Sequence, residues 1–188
     1  MIENILQKIL EIDTSPVEYE KICNEYYIFK INETEYHCVF VSTKLEDYTL
    51  TTFMFYVNKN NIPSIDLLFD YNYPGKVKST VFNILDDYIK NNNVKALSFS
   101  SVKQEESKVR KYKVYSFNLK NKYSFKCLDF FDYEEEIIFL LLKDTKMCDL
   151  YSKHKEEITK NWKQIKDEIE RYKEEIIKNV SKRNIYKI

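Results

Sequence analysis

Apolar residues follow two different periods along this chain, and the periods predict its strands and helices. Short segments that alternate apolar and polar residues, or that are apolar throughout, are typical of strands. Asn32 and the two residues after it suit the turn of a hairpin between the first two such segments. The predicted strands are 26–31, 35–42, 50–57, 64–71, 94–99, 123–130 and 136–142.

Helical spacing of apolar residues marks other segments. One apolar face runs along 2–12, and Ser15 opens a capping-box sequence that predicts a second, short helix. Ser79 is suited to cap a third helix, and 105–119 has the spacing of a fourth. The apolar positions that define these last two helices are Val81, Phe82, Leu85, Tyr88 and Ile89, then Val109, Tyr112, Ser116 and Leu119.

The order of these elements predicts an α+β fold with a mixed, mostly antiparallel sheet. The strand–helix–strand–helix stretch over 64–119 implies a β-α-β-α crossover, which is right-handed in nearly all proteins. We expect residues 1–146 to form the core domain and residues 147–188 to form a long, charged C-terminal helix.

The C-terminal segment carries a stripe of apolar residues spaced alternately four and three residues apart. This 3.5-residue period is typical of a helix that packs against another helix. The stripe predicts either binding to a partner protein, including a homodimer, or docking onto the chain's own domain, with Trp162 as the anchor. Its residues are Ile158, Trp162, Ile165, Ile169, Tyr172 and Ile176.

Composition narrows the classes of protein that this chain can be. It has 30 basic and 30 acidic residues, so its net charge gives no general attraction to nucleic acid or to anionic membranes. The longest apolar run, 137–142, is far shorter than the roughly 20 residues that span a bilayer, and the N-terminus lacks the pattern of a secretion signal. We therefore expect a cytoplasmic protein with no membrane partner. Its cysteines lack close pairing and are expected to be free thiols: Cys23, Cys38, Cys127 and Cys148.

The chain has a single glycine, Gly75, and this excludes several kinds of site. Phosphate-cradling loops need several glycines, so the P-loop and the dinucleotide fingerprint are absent. Lys76, Lys78 and Ser79 beside this glycine could still bind an anion at a helix N-terminus. The alternative is an ordinary solvated turn with a helix cap.

A basic segment after the predicted strand 94–99 is a candidate nucleic-acid site. Its cations alternate with Tyr112 and Tyr115, and aromatic platforms between basic residues suit single strands. The alternative is the charged outer face of an amphipathic helix. The basic residues are Lys103, Lys108, Arg110, Lys111 and Lys113.

No metal site and no catalytic residue are predicted. Structural zinc sites place ligands two to four residues apart, whereas His37 and Cys38 are adjacent and would point to opposite faces of a strand. Cys148 and His154 stand far from them in sequence, and neither histidine lies in a recognisable nucleophile context.

Three stretches together resemble a family of small, mostly uncharacterised proteins carried by phages and other mobile elements. They are 78–90, then 96–101 followed by 106–112, and finally 137–142. The resemblance implies a non-catalytic accessory protein without a cofactor. Its partner would be another protein, such as a host defence protein or ribonucleoprotein that it inhibits, as anti-CRISPR proteins do.

The element order is also similar to that of the GNAT acetyltransferase fold. That resemblance implies a pyrophosphate-binding loop at 71–79, acetyl-CoA as the cofactor, and Tyr112 or Tyr115 as the catalytic tyrosine. The loop of that family is rich in glycine, whereas this chain has Gly75 alone and a β-branched Val77. The resemblance therefore implies an acetyltransferase-like core without the family's glycine-rich loop.

Overall fold

The computed structural model describes residues 14–45, 48–59, 62–64, 74–104 and 106–185. Within these ranges the chain forms strands and helices in the following order. The strands are β1 (Tyr19–Cys23), β2 (Tyr26–Ile31), β3 (Thr34–Leu45), β4 (Tyr48–Lys59), β5 (Ile62–Ser64), β6 (Ala96–Val102), β7 (Cys127–Tyr133) and β8 (Glu136–Leu142). The helices are α1 (Pro74–Asn91), α2 (Glu106–Lys122), α3 (Thr145–Lys160) and α4 (Trp162–Ile185).

The strands join in one mixed sheet with the order β1-β2-β3-β4-β6-β8-β7, and β5 pairs with β4 off this path. β4 and β6 run parallel, with Leu50 opposite Ala96, and α1 lies between them in the chain. The other pairings with a described register are antiparallel. The predicted α+β class, with its mostly antiparallel sheet and long C-terminal helix, is confirmed.

The chain divides into two compact units. The first comprises the described residues of Met1–Val39 and Phe55–Asn92, and the second comprises those of Phe40–Met54 and Asn93–Ile188. This division differs from the predicted boundary at residue 146. The two C-terminal helices belong to the second unit because their apolar residues pack into the core of that unit.

The core of the first unit is rich in stacked aromatic rings. The rings of Phe29 and Tyr36 stack 4.9 Å apart, and Phe55 stacks on Tyr36 at 5.8 Å. The Tyr27 hydroxyl donates a hydrogen bond of 3.2 Å to Asp87 on α1, which holds that helix to β2. Helix α1 buries Val77, Thr80, Ile84, Leu85, Tyr88 and Ile89.

The second unit has helices on both faces of its strands. On one face, Trp162 packs edge-on against Phe131, with ring centres 5.1 Å apart. On the other face, Tyr112 of α2 contacts Phe99 and Phe139 at 5.9 and 6.1 Å. The core on the face that Trp162 covers contains Leu50, Ala96, Phe131, Ile138, Leu140, Leu142, Met147, Cys148, Tyr151, Ile158 and Trp162.

The helix predicted to start at Ser15 is wrong. Residues 14–18 have no regular structure, and Tyr19–Cys23 forms β1 instead. This segment pairs with β2, where Tyr19 lies opposite Phe29, so pairing with a neighbouring strand outweighs the local capping signal. The predicted helix 2–12 and residues 65–71 of the predicted strand 64–71 lie outside the described residues.

Helix α1 begins at Pro74, five residues before the predicted cap Ser79. Proline is favoured in the first turn because its ring fixes a helical φ and the missing N–H has no partner there. The Ser79 hydroxyl donates to the carbonyl oxygens of Gly75 and Lys76, as serine does inside a helix. The assignment of Ser79 as an N-cap is therefore corrected.

The C-terminal segment contains two helices, and α4, with 24 residues, is the long C-terminal helix. Asp144 caps α3, and its side chain accepts a hydrogen bond of 2.8 Å from the Met147 N–H. Asn161 ends α3, and its carbonyl oxygen accepts the N–H of Gln164 at 3.0 Å as α4 begins. None of the described helices combines the length and hydrophobicity needed to cross a bilayer.

Candidate partner-binding surface

Large apolar side chains are exposed at two neighbouring places in the second unit. Val114 and Phe117 on α2 are 57% and 54% exposed, and Phe130 on β7 is 43% exposed. A further exposed residue, Tyr172, lies apart from them on α4. Contiguous exposed apolar patches mark interaction sites, whereas single exposed apolar residues are normal.

Helix α2 exposes these residues because its sequence is apolar on more than one side. Val109, Ser116 and Leu119 are spaced to share one face, and all three are buried. Val114 and Phe117 lie on the helix away from this buried face, so they remain outside the core. The packing of α2 against the sheet therefore leaves part of its hydrophobic surface in solvent.

Lys113 connects the two exposed places. Its ammonium group lies 4.7 Å from the centre of the Phe130 ring. Phe117 follows Lys113 by four residues and therefore lies on the same side of α2, one turn further along. We call the group formed by Lys113, Phe117 and Phe130 the α2–β7 surface.

Helix α2 gives this surface a positive charge. The sequence of the helix contains six basic residues and one acidic residue, Glu106. Arg110 pairs with Glu106 at 3.1 Å, and Lys103, before the helix, pairs with Asp132 at 3.4 Å. The basic residues of α2 are Lys108, Arg110, Lys111, Lys113, Lys120 and Lys122, of which the Lys108 side chain lies outside the described part.

Among the described strands, β7 lies at one end of the sheet. Tyr133 and Glu136 flank a two-residue turn, so they form a pair that exchanges backbone hydrogen bonds. Because such pairs alternate along an antiparallel ladder, Leu128, Phe130 and Asp132 direct their N–H and C=O groups away from β8. The Phe130 N–H accordingly donates to the Asp129 carboxylate at 2.9 Å instead of to a strand.

The Asp129 carboxylate also joins β7 to α3. It accepts a hydrogen bond of 3.0 Å from the Tyr151 hydroxyl and lies 2.6 Å from the Lys155 ammonium group. Burial, reinforced by the negative charge of Asp129, raises the pKa of Tyr151 well above its ordinary value. Tyr151 therefore stays neutral and donates to the carboxylate, which fixes the edge strand against the helix.

A disulfide joins the same two elements. Cys127 at the start of β7 bonds to Cys148 in the first turn of α3, with Cα atoms 5.9 Å apart. The expectation that all four cysteines are free is therefore wrong for these two. Their separation of 21 residues hides the pairing, which depends on how α3 folds back onto β7. Cys23 and Cys38 are not part of a disulfide, and burial raises the pKa of Cys38.

The heptad stripe lies mainly on the chain's own core. Ile158 and Trp162 are buried in the core of the second unit, and Ile169 is only 5% exposed. Ile165 is partly buried against the same core. Tyr172 is exposed and Ile176 is half-buried, so these two are the members of the stripe that a partner could reach.

The predicted anion site is rearranged by the early start of α1. Lys76, Lys78 and Ser79 belong to the first turns of a helix, and the segment from Pro74 onward is not a loop. The Ser79 hydroxyl is engaged by backbone carbonyls of its own helix. The two lysine side chains differ in exposure, with Lys76 half-buried and Lys78 exposed.

Sequence reasoning missed a buried polar network in the first unit. The Tyr26 hydroxyl and His37 Nδ1 lie 2.7 Å apart, and Tyr56 stacks on the imidazole with ring centres 4.8 Å apart. His37 Nε2 lies 3.2 Å from the Glu35 carboxylate without the alignment of a hydrogen bond. Glu35 in turn pairs with Lys30 at 3.1 Å. The i,i+2 spacing of Glu35 and His37 on one strand is the signal that could have found it.

Burial keeps this histidine uncharged. Desolvation lowers the pKa of His37; Glu35 opposes that shift, and Lys30 adds to it. Burial raises the pKa of the phenols of Tyr26 and Tyr56. The rings of Tyr26, His37 and Tyr56 are each less than one-tenth exposed, so the network serves the core of the unit.

The other candidate residues do not converge on a reactive centre within the described ranges. Cys148 is in the disulfide, and His154 lies on α3 beside Glu157 at 3.5 Å. The described residues contain no group of three His, Cys, Asp or Glu side chains that could hold a metal ion. Tyr112 packs against Phe99 and Phe139 in the core of the second unit.

The α2–β7 surface is thus where the structure brings exposed apolar groups, positive charge and a sheet edge together. Its basic residues were predicted from sequence, whereas Phe130 and the edge were not. Comparisons of this chain with protein-family models, with curated proteins and with solved structures find no match.

Proposed function

We propose that this chain is a non-catalytic binding protein that holds another protein on its α2–β7 surface. The observation that carries the proposal is the joint exposure of Phe117 and Phe130 on two adjoining elements. Covering them removes apolar area from water, which contributes roughly 25 cal/mol for each Å². In its most specific form, which rests on the phage resemblance alone, the partner is a host defence protein or ribonucleoprotein.

Two alternative functions have weaker support. Nucleic-acid binding would use the basic residues of α2 and the loop before it, but Lys103 and Arg110 are paired with acidic groups. The Lys113 ammonium group lies over the face of Phe130 on which a base would stack. The support for an acyl-CoA enzyme is the order of the elements. Residues 74–79 are helical, whereas that function needs a loop there.

The test uses a photoreactive amino acid in place of Phe117, in protein expressed at native level in its own host. A matched protein carries the same group at Lys163, which is exposed on α4 outside both this surface and the heptad stripe. We expect one protein to crosslink at position 117 and not at 163. The crosslinked protein is then purified and its affinity measured against the unmodified chain.

The decisive control is the double variant Phe117→Asp, Phe130→Asp. Both positions are exposed, so the fold should survive while the affinity for the purified partner falls about tenfold or more, as expected for hot-spot residues. Equal affinity of the double variant and the original protein would refute the proposed surface.

A further inference from the structure

We infer that the partner binds as an extended, acidic segment that pairs with the outer edge of β7 and adds a strand to the sheet. This inference rests on the proposed function and specifies the chemistry of the partner. The binding mode is the addition of a strand to the edge of a sheet. A helical partner docking on the apolar groups alone would be a different mode.

The backbone of β7 offers the hydrogen-bonding groups that this mode needs. Leu128, Phe130 and Asp132 direct their N–H and C=O groups away from β8, and β7 is the last of the described strands on that side. An added strand would lie about 4.8 Å away and satisfy these groups. Its carbonyl would replace the Asp129 carboxylate at the Phe130 N–H, and Asp129 would keep its contacts with Tyr151 and Lys155.

The side chains beside this edge define the sequence of the added strand. Alternate residues of a strand point to the same face, so every second residue of the partner would face α2. There it meets the exposed Phe130 and Phe117, which favour apolar side chains. Lys113 lies over Phe130, and the exposed Lys126 precedes β7, so carboxylates nearby are favoured.

Charge argues against a second copy of this chain as the occupant. Two copies joined through their β7 edges would be related by a two-fold axis, which would bring their α2 helices together on one face of the joined sheet. Each α2 carries six basic residues and one acidic residue, so the two helices would repel. An acidic segment gains from the same charge.

The experiment selects twelve-residue peptides from a random display library on the full-length protein. We expect the enriched peptides to be acidic and to alternate apolar residues. A synthetic copy of the best peptide should lose about tenfold in affinity with Lys113→Glu. The matched control, Lys163→Glu, changes an exposed lysine on α4 and should leave the affinity unchanged.

Hydrogen exchange then tests the pairing itself. Binding of the peptide should slow the exchange of the outward amides of Leu128, Phe130 and Asp132. Methylating alternate backbone nitrogens of the peptide should abolish binding, because a methylated nitrogen cannot donate to a strand. Slowed exchange together with the effect of methylation would support strand addition.

The outcomes separate this inference from the proposed function. One outcome is peptides that need Phe117 for binding and yet are helical or basic, or leave the exchange of the β7 amides unchanged. Such peptides would overturn the strand pairing and would still support the α2–β7 surface as the binding site. Enriched peptides whose affinity is unchanged by Phe117→Asp would count against both. Tighter binding of a single-stranded oligonucleotide than of any peptide, lost with Lys113→Glu, would overturn the protein segment in favour of nucleic acid.

Discussion

The Lys113 ammonium group lies 4.7 Å from the centre of the Phe130 ring, and this contact joins the basic side of α2 to the edge strand of the sheet. At an exposed site such a contact is worth about 0.5–1 kcal/mol. It is too weak to hold α2 in place, which the buried side of the helix does. Its effect is to place a cation beside an exposed aromatic ring at the sheet edge.

We expect Trp162→Ala to destabilise the fold. Trp162 is 2% exposed and packs edge-on against Phe131, so its removal leaves a cavity in the core of the second unit. Losses of this kind cost about 3–5 kcal/mol of unfolding free energy. Urea unfolding measures the change.

The matched control is Phe117→Ser on the exposed side of α2, which should change stability by no more than about 0.5 kcal/mol. A Trp162→Ala protein that melts like the original and loses a binding partner would instead support Trp162 as an interface anchor. The two variants therefore distinguish a core role of the heptad stripe from a partner-binding role.

Reduction of the Cys127–Cys148 disulfide should lower the stability of the chain. The bond closes a loop between residues 21 apart and restricts the unfolded chain, which by the loop-closure relation is worth about 3 kcal/mol. We expect dithiothreitol to lower the melting temperature of the original protein. The double variant Cys127→Ser, Cys148→Ser should melt at the lower temperature with and without the reductant.

Cys23, which is outside the disulfide, provides the control for that experiment. Cys23→Ser should keep the full response to dithiothreitol, because it leaves the disulfide intact. A reductant effect that persists in the double variant would mean that the bond does not carry the stabilisation.

The free energy of unfolding should decrease as the pH is lowered below about 6.5, because of His37. Burial lowers the pKa of this imidazole from its ordinary value of 6.5, so below that value the unfolded chain binds a proton that the folded chain does not. The loss of unfolding free energy grows as the pH falls, and it stops growing at the pH where His37 becomes protonated in the folded state. Urea unfolding at a series of pH values measures it.

His37→Asn is the comparison for this pH dependence. The asparagine side chain can hydrogen-bond to the Tyr26 hydroxyl in place of His37 Nδ1, but it does not titrate. We expect the variant to be less stable at neutral pH and to lose less stability between neutral and acidic pH. Parallel curves for the two proteins would exclude His37 as the source.

Asp129 and Tyr151 should be energetically coupled. The Tyr151 hydroxyl donates to Asp129 at 3.0 Å, and Tyr151 is almost fully buried. Asp129→Asn removes a charged acceptor, and losses of such bonds cost about 1.5–3 kcal/mol. A double-mutant cycle with Tyr151→Phe should give a coupling energy of about 0.5 kcal/mol or more. Additive effects of the two changes would show that the contact is energetically neutral.

Much of the fold could be predicted because its elements have strong local patterns. β2, β3, β4 and β8 lie close to the strands predicted from alternation and apolar runs, and α2 follows its predicted helical spacing. Local sequence signals gave wrong predictions where longer-range contacts compete with them. The capping signal at Ser15 precedes a strand, because the residues after it pair with β2.

The candidate surface was predictable only in part. Lys113 belongs to a basic segment that the sequence displays, but Phe130 was expected to be one more residue of a strand. Its exposure depends on β7 being the last strand of the sheet, and strand order does not follow from local pattern.

The sequence by itself determined the class of fold, the single glycine and the charge of α2, since these follow from composition and local periodicity. Only the tertiary structure decided that Trp162 enters the chain's own core, that Cys127 bonds to Cys148, and that Lys113 covers Phe130. Each of these joins residues far apart in the chain. Strand order and helix packing bring them together, and these depend on the free energy of the whole fold.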